Sequence, residues 1–118
     1  MGAVSDYLAG LDEPARGVLG VVLDRARALV PEAEEGVSYG MAALRYRGRP
    51  LLSAMQSAKH LAVYPFSPPV VEAVAPDRAG YALSKGTIRF SAERPLPAAV
   101  VDRIVELRRA EIDAALDR

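Results

Sequence analysis

Residues 36–65 (GVSYGMAALRYRGRPLLSAMQSAKHLAVYP) contain only short β-type runs broken by glycine and turn residues, and helical apolar periods flank them on both sides. This arrangement limits what the chain can fold into. Short half-buried strands need a cover, and amphipathic helices need a surface to cover. Residues 43–47 set Leu44 and Tyr46 against Arg45 and Arg47, the alternation of a strand with one face inside. Gly48-Arg49 is expected to turn the chain into a return strand over residues 50–57, and Ala58-Lys59 into another over residues 60–64. In the latter, Leu61 and Val63 point to one face while His60, Ala62 and Tyr64 point to the other. Residues 37–39 make a first strand with Gly40 as a bend, and residues 87–90 make a last one.

The helices read from the 3.6-residue period. Residues 4–10 fit a short first helix, and a longer one starts at Asp12, a capping residue, with Pro14 in its first turn. Val18, Leu19, Val22, Leu23, Ala26, Leu29 and Val30 form its apolar stripe, and Pro31 ends it. Gly17 and Gly20 each cost roughly 1 kcal/mol against alanine, which predicts close packing on the sheet. Residues 70–74 fit a short helix and residues 76–82 a loop. After Pro95 and Pro97 a C-terminal helix carries Val101, Ile104, Val105, Ile112 and Leu116, with Arg108 on the same side.

The order helix, strands, helix predicts a single α+β domain over residues 1–118. It is a two-layer sandwich of about five antiparallel strands with the N- and C-terminal helices on one face. The other face is expected to be open and to hold Arg45, Arg47, His60, Tyr64 and Arg89. With 51% hydrophobic residues and a mean hydropathy of +0.09, the chain reads as a globular cytoplasmic protein. No apolar run approaches the roughly 20 residues that span a bilayer.

Composition removes several chemistries. With no cysteine there is no disulfide, thiol nucleophile or thiolate metal site. A lone histidine, His60, excludes a multi-histidine metal centre in one protomer. No Gly-x-Ser-x-Gly elbow accompanies the serines, so the chain reads as a non-enzyme. The zero net charge conceals a segregation: up to Glu35 there are seven acids and three bases, and from Gly36 to Ala92 two acids and seven bases. Such an imbalance bears on partners. A nucleic-acid face would interleave aromatics with these bases, whereas Tyr46 is expected to point inward.

One candidate site follows from the basic middle: a small anionic ligand or acidic partner on the open face, held by Tyr39, His60, Tyr64, Lys85, Gly86 and Arg89. Ser84-Lys85-Gly86-Thr87 lacks the spacing of a P-loop, and a strand follows it where a helix is required. A homodimer through an apolar patch on that face is a further reading.

Three motifs, Ser38-Tyr39-Gly40-Met41, Lys59-His60-Leu61-Ala62-Val63-Tyr64-Pro65 and the run from Tyr81 to Phe90 (YALSKGTIRF), resemble the YdhG-like family of small bacterial proteins. Ala42 and Ser91 depart from that pattern, each standing where the family carries proline. The resemblance implies a frataxin-like α+β sandwich and, for many members, a description as iron chaperones. It further implies weakly held iron on surface carboxylates, for which Glu32, Glu34 and Glu35 are the matches, with Asp24 above them.

Overall fold

The computed structural model describes residues 2–57, 60–74, 82–84 and 86–117, with residues 82–84 described as backbone only. In chain order the elements are α1 (Ala3–Ala9), α2 (Ala15–Leu29), β1 (Glu34–Ser38), β2 (Met41–Tyr46), β3 (Arg49–Gln56), β4 (Leu61–Tyr64), α3 (Pro68–Val74), β5 (Ala82–Ser84), β6 (Thr87–Phe90) and α4 (Ala98–Leu116). The strands form one antiparallel sheet in the order β1-β2-β3-β4-β6-β5. The expected α+β class holds, with six strands where about five were expected. The additional strand, β5, is three residues long and pairs only with β6. Among the described residues no helix is long and apolar enough to cross a membrane.

Two hairpins close through two-residue turns, Tyr39-Gly40 (φ 53° and 77°) and Arg47-Gly48 (φ 53° and 79°). Positive φ at both positions is what a turn matching the strand twist requires, and glycine supplies the second at no steric cost. The second turn therefore sits one residue earlier than expected. It removes Arg47 from the strand.

Register sorts the side chains. Leu44 pairs Leu52, Ala54 pairs Val63, and Val63 pairs Ile88, so these residues share the face beneath the helices. A bulge at Leu44/Arg45 leaves Leu51 as the extra residue, and both Leu51 and Leu52 are fully buried. Leu19 and Leu23 of α2, Val101 and Ile104 of α4, and Val71 and Val74 of α3 join the same core.

α4 is also fixed by polar contacts. Tyr46 Oη donates to Asp113 Oδ1 at 2.7 Å, and Arg47 bridges Asp113 and Asp117, each at 2.9 Å. Arg108, on the apolar side as expected, donates to the Pro50 carbonyl at 3.0 Å. Arg47 is thereby a helix-binding residue and not part of the open face.

Two expectations for α2 are corrected. Its N-cap is Pro14, not Asp12, and from the residue before it Glu13 Oε1 accepts the Gly17 N–H at 2.9 Å. Gly17 and Gly20 do not pack on the sheet. Gly17 is exposed, and a Cβ added at Gly20 would meet nothing within 4 Å.

The reverse of the sheet is closed at its centre. Ala43, Ser53 and Ala62 are 0%, 0% and 1% exposed. Ala62 lies in a row between Met55 and Arg89, and Ser53 opposite Tyr64, so longer neighbours shield short side chains. Ser53 Oγ donates to the Ala42 carbonyl at 2.7 Å, tying β2 to β3 where their ladder has ended. Ser53→Ala is expected to lower the unfolding free energy by about 1 kcal/mol, measured by urea denaturation, because a buried carbonyl loses its partner.

Candidate functional site

The three glutamates of the expected iron site line one cavity together with Arg45, Arg47 and Gly48, but their carboxylates are not grouped as metal ligands. Glu35 and Glu34 are adjacent on β1, so they face opposite sides of the sheet. Glu35 turns under the helices, where Oε1 accepts the Ser5 N–H at 2.6 Å and Oε2 accepts Ser5 Oγ at 2.7 Å. Arg27 Nη2 completes the set at 3.0 Å. Burial raises the Glu35 pKa, but the two Ser5 hydrogen bonds and Arg27 outweigh it and hold the carboxyl below its ordinary value. Glu32 is taken by Arg109 at 3.0 Å. Glu34 stands opposite Arg45 across the β1–β2 pair. Among the described residues no group of three acids or histidines could hold a metal ion. Glu32 and Glu35 are held by arginines and two more arginines line the same cavity, so the acidic run does not make a set of metal ligands.

The six residues expected to hold an anion also separate. Tyr39, in the β1–β2 turn, is 84% exposed, and its ring stacks on Phe66 at 5.7 Å between centroids. His60 precedes β4, at the end where Leu61 pairs Phe90. Tyr64 ends β4, four residues on, or roughly 13 Å along an extended chain. Lys85 lies outside the described residues. Gly86 (φ 81°) turns β5 into β6 at the Tyr64 end.

What stays together is a group on β4 and β6. Arg89 pairs Ala62 on one side and Ala82 on the other. The register that sets Val63 against Ile88 carries on to set Tyr64 against Thr87, which shares a face with Arg89. Arg89, Tyr64 and Thr87 are all half-buried. None of their side chains makes a hydrogen bond or ion pair with a described residue. Thr87 was not singled out in the sequence, although its position two before Arg89 on a strand signals the shared face.

At the opposite end of the sheet a cavity of about 220 Å³ opens beside His60. Gln56, Ser57, Ser91 and Glu93 contribute its polar lining, and Pro14 and Ala15 at the start of α2 close one side. Ser57 Oγ donates to the His60 carbonyl at 3.1 Å, which fixes the hairpin, and the imidazole makes no hydrogen bond to a described residue. The large apolar side chains exposed among the described residues are Val21, Val37 and Tyr39. They sit on α2, β1 and a turn, and form no patch on the reverse of the sheet.

No family model matches the sequence, and no curated protein matches it. A solved structure does: the crystal structure of a DUF1801 family protein, YdhG, from Bacillus subtilis superimposes with a TM-score of 0.81. The alignment covers 95% of this chain and 91% of that one at 24% identity. The two chains share a fold. At that identity the likeness is one of architecture, in line with the YdhG-like resemblance of the three motifs.

Proposed function

We propose that the protein is a non-catalytic binding domain of the YdhG-like type, which takes a ligand bearing a carboxylate or phosphate on the β4–β6 face. Arg89 anchors the anion, and the hydroxyls of Tyr64 and Thr87 flank it. The observation that carries this reading is the state of Arg89. The residue is half-buried between two alanine positions and its guanidinium meets no acceptor among the described residues, whereas Arg16, Arg25, Arg27, Arg47, Arg108 and Arg109 each hold a carboxylate. A guanidinium without a partner among the described residues offers a planar fork of donors that fits a carboxylate or phosphate. The threonine and tyrosine hydroxyls beside it add neutral donors without competing charge.

Iron carriage, which the family resemblance implies, has less support. Glu32 and Glu35 would have to abandon Arg109 and Arg27 to reach a metal, leaving Glu34 as the available carboxylate.

The test is an NMR titration of the backbone amides with inorganic phosphate and with succinate. Saturable shifts at Ile88 and Arg89 are expected at millimolar ligand. In Arg89→Gln they should need about tenfold more ligand, the equivalent of one charge-assisted hydrogen bond. Absence of saturable shifts with both anions, or an unchanged midpoint in Arg89→Gln, overturns the proposal.

A further inference from the structure

We propose that the cavity at His60 is a second binding site, separate from the β4–β6 face, for a small molecule carrying a primary ammonium group beside a hydroxyl or carboxylate. The cavity is built from three segments distant in sequence: the β3–β4 hairpin, the connection from β6 to α4, and the start of α2. Convergent polar groups of different kinds from separate segments, set against an apolar wall, are what orient a small ligand.

The chemistry of the lining selects the class. Glu93 is an exposed carboxylate with no hydrogen bond or ion pair to any described residue, and it is the acidic group of the described lining. An acceptor-only group at the rim of a cavity is suited to an ammonium, whose three donors it can take singly or in pairs. Opposite charge is absent from the rest of the described lining. His60 and Gln56 have side chains that make no hydrogen bond to described residues, and each offers both a donor and an acceptor. They suit the hydroxyl or carboxylate on the neighbouring carbon. Ser91 Oγ accepts the Arg94 N–H at 3.1 Å and keeps its own proton to donate. Pro14, Ala15 and Leu61 form the apolar wall against the carbon chain. About 220 Å³ accommodates a molecule of the size of an amino alcohol or a small amino acid.

The sequence offers an unusually direct probe, because His60 is the only histidine and its ring protons need no assignment. The experiment follows the His60 Cε1–H signal of the intact chain during titration with ethanolamine, glycine and, as a control without ammonium, acetate. Ethanolamine and glycine are expected to move the signal saturably, and acetate to leave it in place. In Glu93→Gln, an exposed substitution, the midpoint should rise at least tenfold with the remaining spectrum unchanged. His60→Gln, followed through the backbone amides of Gln56 and Leu61, should retain weakened binding, because the glutamine amide still hydrogen-bonds the polar neighbour of the ammonium. The proposal falls if neither amine shifts the His60 signal saturably, if acetate is as effective, or if Glu93→Gln binds as the natural chain does. The anion site is read separately at Ile88 and Arg89, away from the Leu61–Phe90 pair that borders the cavity, so failure at one site does not count against the other.

Discussion

Glu35→Ala is expected to lower the unfolding free energy by about 2 kcal/mol at neutral pH, read by urea denaturation with far-ultraviolet circular dichroism. The carboxylate links three elements. It sits on β1, takes both Ser5 donors of α1, and neutralises Arg27 of α2. Removing one partner of a partly buried, hydrogen-bonded pair leaves a stranded cation and unsatisfied donors, which costs more than the pair itself contributes. The full penalty for a buried pair is about 3–5 kcal/mol, and it is reduced here because Arg27 is 36% exposed to screening water. Arg27 also has a buried Nε with no acceptor, so Glu35 is the neighbour that makes its position tolerable. The loss should fall first on α1, a seven-residue helix with no side-chain cap of its own. Amide hydrogen exchange in Val4–Leu8 should accelerate more than in β3.

The same residue sets an acid limit. A carboxyl whose folded pKa lies below its unfolded value stabilises the fold at pH above the unfolded pKa. That contribution fades as pH falls through the folded value. The wild-type chain should lose stability as pH drops below about 4, the unfolded range of glutamate. Glu35→Gln removes this titration. The stability gap between it and the natural chain should be largest at neutral pH and close on acidification. A gap that stays constant from neutral to acidic pH would assign the role of Glu35 to shape instead of charge.

Glu35 also illustrates where the sequence stops being legible. The alternation of Leu44 and Tyr46, of Leu61 and Val63, and of Ile88 and Phe90 was sufficient to place the core face, because burial of one face imposes a period of two. The stripe on α4 was legible for the same reason at a period of 3.6. The segment from Glu32 to Glu35 reads locally as an acidic loop, since acids are poor strand formers. Glu34 and Glu35 become strand because β2 pairs with them residue by residue, a tertiary effect no local window contains. Arg47 was misplaced by a one-residue error in a turn, and such a slip moves a side chain to the other face. The open face was overestimated because alanine and serine look exposed in an alternating pattern. Their burial depends on the length of cross-strand neighbours such as Met55 and Tyr64. Of the candidate anion set, Tyr64 and Arg89 share the sheet face in the structure. His60 was singled out in sequence but belongs to the other end of the sheet.

Ile88→Ala should have the larger effect on stability, about 3–4 kcal/mol, and little on anion binding. Ile88 is fully buried on β6, in register with Val63 on β4 and Leu83 on β5, beneath the helical layer. Truncation removes the transfer free energy of the lost methyl and methylene groups and leaves a cavity that a sheet, held at both neighbours, cannot collapse to fill. That is a large fraction of the 5–15 kcal/mol typical of a domain, so the variant should remain folded only at reduced temperature. Ile88→Val, at about 1 kcal/mol, gives the milder case in which binding can be measured at leisure. Adjacent residues on a strand point to opposite faces, so Ile88 and Arg89 report on different physics from neighbouring positions. Arg89→Gln should leave stability nearly unchanged, because the side chain makes no hydrogen bond or ion pair with a described residue. Ile88→Val should lower stability at unchanged phosphate affinity. If Ile88→Val instead weakened phosphate binding as much as Arg89→Gln, the anion would be responding to the rigidity of β6 and not to the guanidinium. The β4–β6 face would then lose its claim to be the site.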